Sequence, residues 1–189
     1  MRTGKRRAEI MQVAAKMFAA RGFHGVSMDD LGAELGVSGP ALYRHFDNKE
    51  AILSEMLIEI SEQLRDGAKA CLAFEGSAAE ILEALVHFHI EFALSKPELI
   101  AVQFRDLGNV PEKGQRTVRR LQREYVDTWV GVLMSEYPKV GQGRATATSQ
   151  AVFGLLNSTP HSSRLGQIEM SDLLSEIALA ALARGCQSE

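Results

Sequence analysis

The chain has 189 residues, 46% of them hydrophobic and 24% charged, with a formal net charge of −3. That length suffices for one large or two small domains with real cores, and the slight acidity argues against a general polyanion binder. Its two cysteines, Cys71 and Cys186, lie far apart and outside any C-x-x-C, which argues against a disulfide framework or a zinc site and fits a reducing cytoplasm. No apolar run approaches the ~20 residues of a membrane span and no signal peptide is visible, so a cytoplasmic protein without membrane contact is expected.

The charge is uneven. Residues 1–50 carry 8 Lys/Arg against 6 Asp/Glu, and the remainder 13 against 18. A modestly basic end on an acidic body suits salt-sensitive DNA binding by one domain. Arg2, Lys5, Arg6 and Arg7 form a cluster that reads either as an arm adding phosphate contacts or as a solubilising terminus. Ile10, Met11, Ala14, Ala15 and Phe18 then recur at helical spacing, and Gly22 ends that first helix.

From Ser27 to Glu50 the sequence encodes two short capped helices separated by Gly36-Val37, the arrangement by which small proteins place one helix in the DNA major groove. Ser27 is a good N-cap, with Asp30 three residues later in a weak capping box, and Leu31 and Leu35 share one face. Gly36 supplies the left-handed stop. Ser38 caps the second helix, with Pro40 in its first turn, and Val37, Leu42 and Phe46 point back to Leu31 and Leu35. Gly39, Ala41, Tyr43, Arg44 and His45 face outward, where the small residues let the helix start approach base edges and the larger ones reach phosphates or bases. Asp47 with Glu50 marks the start of a third helix.

The stretch G-F-H-G-V-S followed by M-D-D-L-G-A-E-L-G-V-S-G-P-A-L-Y-R-H-F-D-N-K-E-A-I-L resembles the N-terminal domain of tetracycline-repressor (TetR) family regulators, over roughly Lys5 to Leu57. The resemblance implies an all-helical, cytoplasmic homodimer that binds an operator through this domain and is released by a small molecule held in the C-terminal domain. It further implies that Tyr43, His45 and Lys49 contact phosphates, that Ser27 anchors the front of the first motif helix, and that Gly39, Pro40, Ala41 and Arg44 face the bases. Ser38 completes this candidate DNA-contacting set. Asp29 stands near where some members carry a base-reading Arg, and an acid cannot substitute for it.

Beyond the motif the spacing predicts helices over about 49–71, 77–96, 98–107, 112–136, 144–159 and 171–184, with a loop over 161–167. The all-α chain is thus expected to divide into a three-helix domain at 1–50 and a helical ligand-binding and dimerisation domain at 51–189, the boundary falling inside a continuous helix. His89 falls on the inward face with Leu85 and Phe92, and reads either as a satisfied core histidine or as a ligand contact. His87 points to the wet face, so the pair cannot share a metal. Tyr125 and Trp129, four apart, are either core or pocket lining, and need polar partners when buried. Asn157 to His161 reads as a ligand-contacting turn or a polar helix end at a subunit interface, with Pro160 ending or kinking the helix. Arg116, Arg119, Arg120 and Arg123 form either a solvated face or a receptor for an anionic ligand such as an acyl-CoA phosphate. Phe88, His89, Phe92, Phe104, Tyr125, Trp129 and Asn157 are the candidate ligand-binding set.

From Leu173 to Ala183 only Ser175 and Glu176 are polar. A helix apolar nearly all round must be covered on all sides, which points to a second copy of the chain and to Leu155, Leu173, Leu174, Ile177, Ala178 and Ala181 at its interface. The segment F-G-L-L-N-S-T-P-H-S is similar to actinobacterial regulators of fatty-acid, sterol or acyl-CoA catabolism within the same family. No cofactor or metal is expected. No G-x-S-x-G, Gly-rich phosphate loop or H-E-x-x-H is present, so the chain reads as a non-enzyme. The expected function is a DNA-binding regulator that a small-molecule effector, an acyl-CoA or related lipid metabolite, releases from a double-stranded operator. The competing reading is a helix-turn-helix used for protein interaction, with the body as a small-molecule carrier.

Overall fold

A computed structural model describes residues 2–158 and 165–187, and every regular element in them is helical. In chain order these are α1 (Arg2–Arg21), α2 (Met28–Glu34), α3 (Gly39–Leu42), α4 (Lys49–Leu72), α5 (Ala78–Ser95), α6 (Pro97–Asp106) with a 3-10 turn at Leu107–Asn109, α7 (Glu112–Glu136), α8 (Gln142–Leu156) and α9 (Gln167–Cys186). No described helix is long and apolar enough to cross a membrane. The expected kink at Pro160 and most of the expected 161–167 loop lie outside the described residues; Gln167, placed in that loop, is the first residue of α9.

The chain forms two compact units, one of residues 1–61 with 98–119, the other of 62–97 with 120–189. In the first unit, Ile10, Ala14 and Phe18 of α1 are buried together with Phe23, Leu31, Leu42, Phe46, Ile52 and Leu53. Gly22 and Gly36 close α1 and α2 at φ +77° and +64°, angles a side chain would strain. Arg105, near the end of α6, donates to the carbonyls of Phe18 and Ala19 in the last turn of α1, and the buried Asp106 carboxylate orients it at 2.9 Å. That hydrogen bond, together with the charge of Asp106, holds the guanidinium pKa above its ordinary value.

In the second unit α9 packs on α8 and α5. Ser77 and Glu80 form a full capping box at the start of α5, and the neighbouring helices bury Leu82, Leu85, Ile90, Leu121, Leu133, Val152 and Leu156. Met170, Leu174, Ala178 and Leu182, four apart along α9, face this core. The other side of the same helix leaves Leu173 and Ile177 about 40% exposed. The all-round apolarity of α9 therefore has two causes, and Leu174 and Ala178, expected at an interface between copies, belong to the chain's own core. Leu155 and Ala181 are half-buried.

Gly67 lets α4 approach α5 closely, since a Cβ there would lie 2.0 Å from the Phe88 ring. Alanine would gain at most ~1 kcal/mol of helix propensity. Displacing the ring costs more, so Gly67→Ala is expected to destabilise the protein by about 1–2 kcal/mol, read as a lower urea midpoint with an unchanged slope.

Candidate functional site

The first unit presents the motif on short, well-pinned elements. The Ser27–Asp30 capping box is complete: the Ser27 hydroxyl accepts from Asp30 N at 3.1 Å, and Asp30 Oδ2 receives both Ser27 N and the hydroxyl. Those bonds hold the Asp30 carboxyl below its usual range. Ser38 has the extended backbone of an N-cap but makes no side-chain cap bond. The third helix starts from Asn48, whose Oδ1 accepts from Ala51 N at 2.7 Å, in place of the expected Asp47.

The recognition helix is shorter than its sequence suggests. It ends at Leu42, whose carbonyl accepts from both His45 N and Phe46 N, so Tyr43, Arg44 and His45 lie on the following turn. Tyr43 is 54% exposed, Arg44 and Pro40 are exposed, and Ala41 and His45 are half-buried. His45 Nδ1 is a buried ring nitrogen without a partner. Between Tyr43 and the starts of α2 and α4 lies a hollow of about 510 Å³, lined by Ser27, Met28, Asn48 and Lys49 but also by Asp29, Asp30 and Glu50.

Two cations pin the elements around this surface. Lys49 Nζ donates to the carbonyls of Phe23 and Val26 at 3.0 and 2.9 Å and sits 4.4 Å from the Phe23 ring centroid. Two of its three protons are thereby committed inside the protein. Arg7 pairs with Glu55, donates to the His45 carbonyl and covers the Phe46 ring at 4.1 Å. Arg6 pairs with Glu9. Half of the basic cluster near the N-terminus is thus tied to the protein, through partners too distant in sequence, in the case of Arg7, for local patterns to reveal.

The second unit gathers most of the expected ligand-binding residues. His89 Nδ1 accepts from the Tyr125 hydroxyl at 2.7 Å, and its Nε2 donates to Asn157 Oδ1 at 3.1 Å. Trp129 is fully buried beside them, 6.1 Å from the Tyr125 ring. Phe153, which sequence reasoning missed, stacks on His89 at 5.2 Å with an interplanar angle of 10°. It lies three and four residues before Leu156 and Asn157, so helical spacing from Asn157 was the signal that could have found it. Phe92 is buried and Phe88 half-buried on the same helix as His89. Phe104 does not join them: it is 94% exposed and belongs to the first unit. Arg116 and Arg120 pair with Glu112 and Glu124 on their own helix.

Two family models match the chain. Residues 10–56 match the bacterial regulatory proteins of the tetR family, and residues 75–161 match the tetracyclin repressor-like C-terminal domain. The chain belongs to the TetR family. It is a helix-turn-helix, DNA-binding transcription regulator of that family, which carries the competing reading of a mere protein-interaction module no further. The chain is 27% identical over 155 residues to the HTH-type transcriptional repressor KstR2 of Rhodococcus jostii, covering 82% of this chain and 76% of that protein. It is 30% identical over 88 residues to the transcriptional activator FasR of Mycolicibacterium smegmatis, across 47% of this chain and 40% of the relative. The TetR-family fold is shared with a regulator from Bordetella parapertussis, at a TM-score of 0.83, 22% identity and coverage of 92% and 93% of the two chains. The structure of the ketosteroid transcriptional regulator KstR2 of Mycobacterium tuberculosis gives a TM-score of 0.76 at 19% identity, over 97% and 96%.

Burial lowers the His89 pKa from 6.5 to about 4, only partly offset by Asn157, and raises that of Tyr125. Both groups of this TetR-family protein are neutral near pH 7. As pH falls the unfolded chain protonates His89 before the folded one does, so the stability conferred by the neutral ring is complete above pH ~6.5 and is lost between there and pH ~4, about 3 kcal/mol in all. The melting temperature is expected to fall more between pH 7 and 4.5 in the wild type than in His89→Gln. Equal falls would show that His89 titrates normally.

Proposed function

We propose that the protein acts in the cytoplasm as a homodimeric repressor that binds a palindromic operator through α3 and the turn after it, and leaves the operator when a small-molecule effector places its apolar part in the second unit. The observation that carries this reading is the exposure of Pro40, Tyr43 and Arg44 on one short segment, held at its end by Arg7 through the His45 carbonyl. Arg44 reads a base edge, while Tyr43 and the remaining proton of Lys49 meet phosphates at the rim of the hollow, away from Asp29 and Asp30. Repression is favoured over activation because the repressor relative aligns over most of the chain and the activator over less than half.

The effector is a lipid metabolite such as an acyl-CoA, in keeping with the aromatic cluster around His89 and with a structural relative named for ketosteroids. Effector and DNA must weaken each other by the same factor, because only differential affinity for two states shifts an equilibrium. An electrophoretic shift assay with DNA from upstream of the protein's own coding region, at moderate salt, tests the reading. Retention about 10³-fold tighter than for unrelated DNA is expected, with release by one member of an acyl-CoA and sterol panel. Equal retention of all sequences would refute the regulator reading, and a specific complex that no panel member releases would refute the effector class.

A further inference from the structure

The cluster at the centre of the second unit has more hydrogen-bond donors than acceptors. The Tyr125 hydroxyl spends its proton on His89 Nδ1, and the other ring nitrogen spends its own on the Asn157 carbonyl oxygen. Two donors remain. The Trp129 indole N–H influences the Tyr125 hydroxyl but falls short of hydrogen-bond geometry with it, and is buried without a partner. The Asn157 side-chain amide N–H group makes no bond among the described residues. Buried donors are nearly always satisfied, and an orphaned one is a standing cost to the free protein.

The surroundings restrict what could satisfy them. Phe153 stacks on His89 and meets Trp129 edge-on at 4.9 Å, so the walls are aromatic. No cation shifts either His89 or Tyr125, and both are neutral. An anion brought here would lose its hydration with no opposite charge to replace it. A hydroxyl would add a donor where donors are already in surplus. Phe153 and Asn157, near the end of α8, are the half-buried members through which the cluster reaches solvent.

We infer that this cluster binds the uncharged carbonyl oxygen of an apolar effector, a ketone, ester or thioester, with the Trp129 N–H and the Asn157 amide as its two donors, and that it rejects a carboxylate at the same place. The inference rests on the ligand-responsive reading above and names the group of the effector that lies deepest. Any charged part of the molecule stays outside the cluster.

The test uses the full chain with 2-undecanone, cyclododecanone and undecanoate at pH 7.5. Trp129 is the single tryptophan, so intrinsic emission reports on the proposed donor itself. At least one ketone is expected to change that emission saturably and to raise the melting temperature, while undecanoate at the same concentration does neither. Trp129→Phe keeps an aromatic ring but deletes the N–H; followed by calorimetry, it should bind the ketone about 5–10-fold more weakly, the size of one neutral hydrogen bond. Asn157→Leu should do the same, and it carries the test if Trp129→Phe does not fold. A purely structural role would lower the melting temperature of the free variants and leave the ketone-induced rise intact. Binding of neither ketone, undecanoate binding as tightly as a ketone, or wild-type ketone affinity in the folded variants would each overturn the inference. Operator retention is scored on the same samples: intact retention with any of these results counts against the carbonyl site alone, whereas absent retention counts against the regulator reading.

Discussion

Replacing Ile177 with glutamate is expected to halve the particle mass measured by light scattering and to lower operator affinity by about 10²-fold or more. The face of α9 that carries Ile177 and Leu173 is apolar and exposed in the single chain, while the opposite face is spent on the chain's own core. A second copy covering that face would join two motifs into one molecule, and the second half-site would then bind at high effective concentration, a gain of 10²–10⁴ that is lost with the dimer. Because Ile177 is surface-exposed, the helical circular dichroism of the variant should be unchanged. Leu174→Glu offers the contrast: a charge placed at a buried position should unfold the second unit. A monomeric Ile177→Glu that still bound a palindrome tightly would sink the proposed mode of assembly.

The second large effect is expected at Arg44. Its removal to alanine should weaken the cognate operator by about 1–3 kcal/mol, roughly 5- to 150-fold, and relax base preference at one position per half-site. Tyr43→Ala should weaken all sequences alike, since phosphate contacts position the protein without reading it. Affinities measured on a set of operators mutated one base pair at a time separate the two. If Arg44→Ala lowered every affinity by a common factor, Arg44 would be a phosphate contact and base reading would lie elsewhere on the segment.

Features governed by near neighbours were legible in the sequence. The Ser27 capping box, the helix start at Ser77, the stop at Gly36 and the long helix from Lys49 are set by residues within a few positions of one another, and the structure contains them all. The end of α3 was not legible: the Leu42 carbonyl closes it by accepting from both His45 N and Phe46 N, and the turn is held by the Arg7 contact to His45, which depends on tertiary approach. Phe104 was misassigned because an aromatic residue on a helix was taken to face inward. On the ten-residue α6, Val102 and Asp106 are buried, and Phe104, two from each, projects to the other side. Likewise, apolarity around α9 did not distinguish the face that packs in the chain's own core from the face that carries the exposed Leu173 and Ile177. The hydrogen bonds of His89 span 36 and 68 positions, and only its inward direction could be read beforehand.

Arg7 and Glu55 also set the smallest piece of the chain that can be transplanted as a reader of DNA. A peptide of residues 27–50 would contain every motif residue, yet its four-residue α3 would lack the guanidinium that holds the His45 carbonyl and covers Phe46. Helices this short do not persist alone in water. A chimera that exchanges only the motif between scaffolds should therefore keep its sequence preference only when the host supplies an arginine on its first helix and a carboxylate, like Glu55, on its fourth. The portable unit must include at least the span from Arg7 to Glu55.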